Sequence, residues 1–276
     1  MTQFVPLFSM LVLLLFTAAT CDEGIPSTPV ERLTKAKREQ LGDLLRDQIL
    51  QDTTVQIWPD SGKATKAYLY LGGLYQQVTN EMRLDLQSPS NNRWNDQRVW
   101  QLYIEQYAEP RLFTLPGGHL FVSTGLLKRL EREYEIYGLF ALDAQLVNED
   151  FLINKLISDY GTQTLLNLVE ENLAANALTL EIIARELPNL NFDPLDIADT
   201  DPAALELICR SSLYDPTGIL AVTNHLDENS PYFQTRPSYG DRSNFMENFP
   251  QNSNADCGDL RTNGQYAEYV LEALPE

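Results

Sequence analysis

Histidine is nearly absent from this chain. Its 276 residues include two, His119 and His225, so the helical zinc motif H-E-x-x-H cannot be written in any register. Cations are also scarce: 20 lysines and arginines stand against 39 aspartates and glutamates, a formal net charge of −19. That sign argues against nucleic acid as a partner, because a phosphate backbone needs a basic surface. It likewise argues against electrostatic attachment to anionic lipid, and fits solubility or a cationic partner. The cysteines number three (Cys21, Cys209 and Cys257) and include no C-x-x-C pair, which argues against a thiolate zinc site. The sequence shows no internal repeat and no low-complexity segment.

A long run of apolar residues occurs at the amino terminus. Residues 1–20 carry no charged side chain and are apolar from Met10 to Phe16, a length that suits a secretory signal better than a spanning helix. The run ends Ala18-Ala19-Thr20-Cys21, which resembles a bacterial lipoprotein signal with Cys21 as the lipidated residue. Plain secretion and a retained anchor are the alternatives. The expected location is outside the cytoplasm, in the periplasm or cell envelope, with membrane contact only through a lipid anchor or an uncleaved signal. If Cys21 carries lipid, Cys209 and Cys257 remain as an even pair in a compartment that permits a disulfide. The other reading of Cys209 is a small buried apolar side chain.

After the signal, residues 21–30 read as a Pro-containing tether and residues 31–276 as one domain. Its parts are N-terminal helices over 31–92, a core over 93–245 and a C-terminal loop and helix over 246–276. Leu33, Leu41, Leu44, Leu45 and Ile49 predict a helix over 31–51, and Tyr68, Leu71, Tyr75, Val78 and Met82 a second over 62–86. A polar turn at 88–96 precedes a strand over Val99–Tyr107. Phe151 to Leu187 reads as two helices broken near Gly161, and Pro188, Pro194 and Pro202 as punctuation of a turn-rich connection. An Asp/Thr cluster at Asp199, Thr200 and Asp201 then caps a helical run from Ala203 to Leu213. Residues 243–260 read as an Asn-rich loop and 264–274 as a short closing helix.

The stretch from Pro110 to Asp150 organises the rest. Leu112 to Leu126 alternates about a Pro-Gly-Gly turn, the pattern of a hairpin. From Leu127 onward, Leu130, Tyr134, Tyr137, Leu139, Phe140, Leu142, Leu146 and Val147 mark one face of a helix reaching about Asn148. The phrase LFTLPGGHLFVSTGLLKRLEREYEIYGLFALDAQLV resembles the strand and active-site helix of zinc metallopeptidase family M forty-eight, the CAAX-protease, heat-shock protease and periplasmic quality-control protease type. Members show a phrase close to A-F-x-L-P-G-G-x-I-F-V-x-T-G-L-L, followed by a helix with H-E-x-x-H. Two later phrases add to the likeness. DTDPAALELICRSSLYDP is similar to the segment that carries the family's third zinc ligand, and TRPSYGDR to its T-H-P-S-x-x-x-R.

The resemblance implies an α+β, mostly helical, zincin-like metallopeptidase fold with a small sheet beside the former active-site helix. It also implies that the chemistry is gone. Leu142 and Leu146 stand at the two histidine positions, Asp143 at the glutamate, Thr200 at the third ligand and Arg236 at the later histidine, while Arg242 is retained. Leucine has no lone pair, so the zinc expected of the family lacks its ligands and no cofactor is expected. Gly117, Gly118, His119, Leu120, Phe121 and Val122 form the strand that would border a substrate cleft, and its edge is expected to accept an extended peptide by strand addition.

The expected function is an exported, inactive metallopeptidase-like protein that binds an extended peptide or an envelope protein client. One alternative is an active peptidase with an atypical carboxylate site. It would be built on Asp143 with Asp199 or Asp201, acids suited to calcium or magnesium, and with Arg242 as an oxyanion donor. A structural accessory subunit with an acidic docking surface is another. His119 and His225 read as strand-end and helix-end residues, and Glu133 and Glu135 as a solvated helix face.

Overall fold

The structure, a computed structural model, describes residues 28–84, 100–170, 173–221, 225–227, 229–237, 242–253, 257–261 and 265–275. The signal, Cys21 and the turn expected at 88–96 lie outside the described residues. The fold is α+β and mostly helical, with one small mixed sheet.

Helix α1 (Pro29–Arg32) opens the described chain and occupies the end of the expected tether. Thr28 caps it: its hydroxyl accepts from the Glu31 N–H, while the Glu31 carboxylate accepts from the Thr28 N–H at 2.8 Å. Leu33 then breaks the helix by turning into the core, where it is fully buried, and α2 (Lys35–Gln51) follows. Helix α3 spans Ala64–Leu84.

Strands β1 (Gln101–Glu105), β2 (Leu112–Leu115) and β3 (His119–Ser123) form a sheet in the order β1-β3-β2, with β1 parallel and β2 antiparallel to β3. The β2–β3 hairpin turns at Pro116-Gly117-Gly118. Gly118 has φ of +89°, and a Cβ there would lie 2.4 Å from the Trp100 ring, so glycine is required on both counts.

This order corrects the expected peptide site. Residues Leu120 to Ser123 belong to the central strand and are bonded on both sides, so β3 offers no edge. The outer flanks are covered as well. Ile57 bridges to Glu105 beside β1, with Trp58 N–H donating to the Ile104 carbonyl at 2.7 Å. The turn Leu187–Asn189 lies against β2, whose four residues are all buried.

Helix α2 covers one face of the sheet. Gly42 is where it touches: a Cβ there would come within 1.6 Å of the Pro116 carbonyl oxygen. On that face Tyr103, Phe121 and Phe113 stack across all three strands, with ring centroids 4.7 and 4.8 Å apart. The opposite face meets α5 (Glu133–Asn148), which follows the short α4 (Thr124–Leu127).

Every residue of α5 from Glu135 to Val147 is buried, so the helix packs on all sides rather than along one stripe. Its neighbours include α3, through Tyr75 edge-on to Phe140 at 5.4 Å, and α9 (Pro194–Arg210), through the Gln145 side-chain amide donating to the Ala203 carbonyl at 3.3 Å.

Between α5 and α9 run α6 (Phe151–Tyr160), α7 (Thr162–Glu170) and α8 (Leu173–Glu186), three helices where two were expected. Asp193, not the later Asp/Thr cluster, caps α9, accepting from the Leu195 N–H at 2.8 Å. Pro202 lies within the helix, which continues because Ala204, Leu205 and Ile208 are buried in the core. Short α10 (Pro231–Thr235) and α11 (Arg242–Ser253) follow, the latter replacing much of the expected Asn-rich loop. The chain closes in a π-type turn at Ala267–Leu271. A disulfide joins Cys209 at the end of α9 to Cys257. No helix among the described residues is long and apolar enough to cross a membrane.

Candidate functional site

The structure brings the separated motif residues into two buried ion pairs. Asp143, near the middle of α5, is fully buried, and its Oδ1 accepts from Nη2 of Arg236, just past α10. Thr114 of β2 donates to the same oxygen at 3.3 Å. Arg236 is 2% exposed; its Nη1 donates to the Thr235 hydroxyl at 3.2 Å, and its guanidinium lies 5.6 Å from the centre of the Tyr232 ring. Burial pushes the Asp143 carboxyl above the ordinary aspartate range, and Arg236 with Thr114 opposes that shift. Burial also raises the Tyr232 phenol, to about 12.

The second pair is bidentate. Arg242 donates from Nε to Asp201 Oδ2 at 2.7 Å and from Nη2 to Oδ1 at 2.9 Å, with both side chains buried. The fork geometry of guanidinium on carboxylate fixes α11 against α9. Arg242 is therefore committed to a carboxylate, which argues against an oxyanion role.

Two leucines of α5 complete the region. Leu142 and Leu146 are 1% and 2% exposed, one helical turn apart on α5. Thr200 is fully buried within α9 and returns its hydroxyl to the Asp196 carbonyl at 2.6 Å. Asp199 is exposed. The three acids considered for a hard cation are thus not gathered: one faces Arg236, one faces Arg242 and the third faces solvent. The donor set does not fit zinc either, since Leu142 and Leu146 have no lone pair to offer and a guanidinium approaches Asp143. No group of three or more His, Cys, Asp or Glu side chains able to hold a metal occurs among the described residues.

Beside Asp143 the remaining space is a cavity of about 10 Å³, bounded by Phe113, Leu146, Leu187, Leu190 and Phe192. One water molecule needs about that volume, so no peptide carbonyl fits there. Asp143 Oδ2 and Arg236 Nε are buried and find no hydrogen-bond partner among the described residues.

His119 begins β3 and His225 ends a helical stretch, the strand-end and helix-end places expected of them. His119 is 1% exposed, with Nε2 2.9 Å from Asp43 Oδ1, so it ties the central strand to α2 instead of lining a cleft. His225 Nε2 lies 3.3 Å from Glu135 Oε1.

Glu133 and Glu135 are not a solvated face. Glu135 is 4% exposed and accepts from the N–H groups of Glu131 and Arg132, closing the start of α5. Glu133 accepts the phenols of Tyr70 and Tyr214, the latter at 2.5 Å. Burial, reinforced by the bond to Glu133, raises both phenols well above their usual range. Nothing in the local sequence marks these contacts, because Tyr70 and Tyr214 come from distant segments.

No protein-family model matches the chain, and no curated protein matches it.

Proposed function

We propose that this protein is a catalytically inactive relative of zincin-like metallopeptidases, exported to the cell envelope, that acts by binding a polypeptide. The observation that carries this reading is the buried contact between Asp143 and Arg236. By resemblance, those are the positions of the zinc helix glutamate and of a histidine near the active site. Their meeting in space is what a shared fold requires. Their identity as a carboxylate and a guanidinium is what a lost metal site would leave: a side-chain cation in place of a bound one. The buried Leu142 and Leu146 agree with this, each contributing about 1.5–3 kcal/mol by burial where an imidazole would have to reach a metal. The disulfide between Cys209 and Cys257 fits an oxidising compartment, as export predicts.

The reading is tested by incubating the purified chain with unfolded casein and zinc, with and without a chelator, and following cleavage by mass spectrometry. Intact substrate in both arms is the expected result. Cleavage that the chelator abolishes would overturn it.

A further inference from the structure

The buried pairs leave the molecule's binding surface unassigned, and a cleft on the far side of Phe192 supplies one. It has a volume of about 820 Å³ and lies between α6, the approach to α9 and α10. Three phenylalanines contribute to it: Phe192 is buried, while Phe151 and Phe233 are partly exposed and able to cover an apolar side chain. Around them stand exposed polar side chains, Asn154, Ser158, Asn191 and Gln234, which match the donors and acceptors of a polypeptide backbone.

The charge of the cleft is acidic. Its one lysine, Lys155, is paired with Asp159 at 2.7 Å. Asp193 accepts from the N–H groups of Leu195 and Asp196, and Asp196 accepts from the Asp193 N–H at 3.3 Å, so both carboxylates are held at the start of α9 on the rim of the cleft. The whole chain carries −19, so the long-range field adds to the local one.

We infer that this cleft binds an extended, basic polypeptide segment in which lysine or arginine alternates with apolar residues. Backbone groups meet the amides, apolar side chains meet the phenylalanines, and cations meet Asp193 and Asp196. The inference rests on the binding role proposed above and adds the place and the chemistry of the partner.

The probe is a fluorescein-labelled short peptide alternating lysine with leucine, titrated into the full chain and read by anisotropy. A peptide with glutamate in place of lysine serves as control. Saturable binding of the basic peptide alone is expected. Ser158→Lys combined with Gln234→Lys places two cations on exposed positions of the cleft. It should weaken binding by about tenfold at low salt, with a smaller loss at high salt and an unchanged melting temperature. Asn191→Lys is an independent exposed variant that should act in the same direction.

Equal binding of both peptides, no binding of either, or unchanged affinity in both lysine variants would overturn the inference. Whether the peptide is also cleaved is scored separately by mass spectrometry. Cleavage would sink the inactive reading without moving the cleft, and loss of binding would sink the cleft without restoring a catalytic site.

Discussion

Arg236 and Asp143 are separated by 93 positions in sequence and meet inside the protein, guanidinium against carboxylate, with both side chains almost completely removed from solvent. The pair joins the helix at the centre of the fold to the C-terminal segment, and Thr114 adds the sheet to the same contact. Each charge is tolerable there because the other is present.

Breaking that pair from one side should be costly. Arg236→Ala leaves Asp143 as an uncompensated buried carboxylate and is expected to destabilise the fold by roughly 3–5 kcal/mol. Asp143→Leu with Arg236→Met replaces both charges with apolar groups and should be closer to wild type than the single variant. Urea denaturation of the four proteins in the cycle checks this. A loss under about 1 kcal/mol in Arg236→Ala would mean the contact is exposed or absent in solution.

Gly42 is where α2 lies against the β2–β3 hairpin. In Gly42→Ala the new methyl meets the Pro116 carbonyl oxygen at 1.6 Å, so helix and turn must separate. The expected cost is about 1–3 kcal/mol despite alanine's better helix propensity. A melting temperature equal to or above wild type would contradict the close approach.

The Cys209–Cys257 disulfide closes a 48-residue separation. On the chain-entropy account it stabilises the fold by about 4 kcal/mol, through the unfolded state. Replacing both cysteines with serine should lower the denaturation midpoint accordingly. Reducing agent should reproduce the shift in the wild type and have no effect on the variant.

Asp215 gives a pH dependence with a definite sign. Burial alone would raise its carboxyl. The Thr217 hydroxyl at 2.5 Å, Arg261 at 2.6 Å and the Thr217 N–H at 2.8 Å outweigh that and hold it below the usual range. Arg261 is 57% exposed, so most of the effect belongs to Thr217. A carboxyl depressed in the folded state adds stability above its unfolded value, near pH 4, and loses it as pH falls through the folded value. Asp215→Asn should therefore show a shallower loss of stability on acidification. Parallel stability curves for variant and wild type would reject this.

The hairpin could be read from the sequence because Pro-Gly-Gly between alternating apolar residues has one ready geometry, and the body of α5 because its apolar spacing is helical, although the helix starts at Glu133 and residues 128–132, Leu130 among them, lie outside it. The burial of α5 on all sides could not, since Glu135, Asp143 and Gln145 look like a wet face until their partners are known. Strand order was also hidden. Chain order places β3 after β2, yet β1 pairs with β3 in parallel, which puts β3 at the centre and removes the expected edge. Pro202 looked like a break, but packing of Ala204, Leu205 and Ile208 keeps α9 continuous through it. The resemblance named Asp143, Arg236 and Arg242 as site positions. That Arg236 would answer Asp143, and Arg242 would answer Asp201, is a long-range fact that no local pattern carries.

The central claim is that leucines and a buried ion pair have replaced a zinc centre. The most direct test is the metal content of the purified full chain after incubation with zinc and dialysis, measured by plasma mass spectrometry. The account predicts zinc far below one ion per chain, and the same melting temperature with and without chelator. One tightly held zinc per chain, with a melting temperature that falls on chelation, would contradict it.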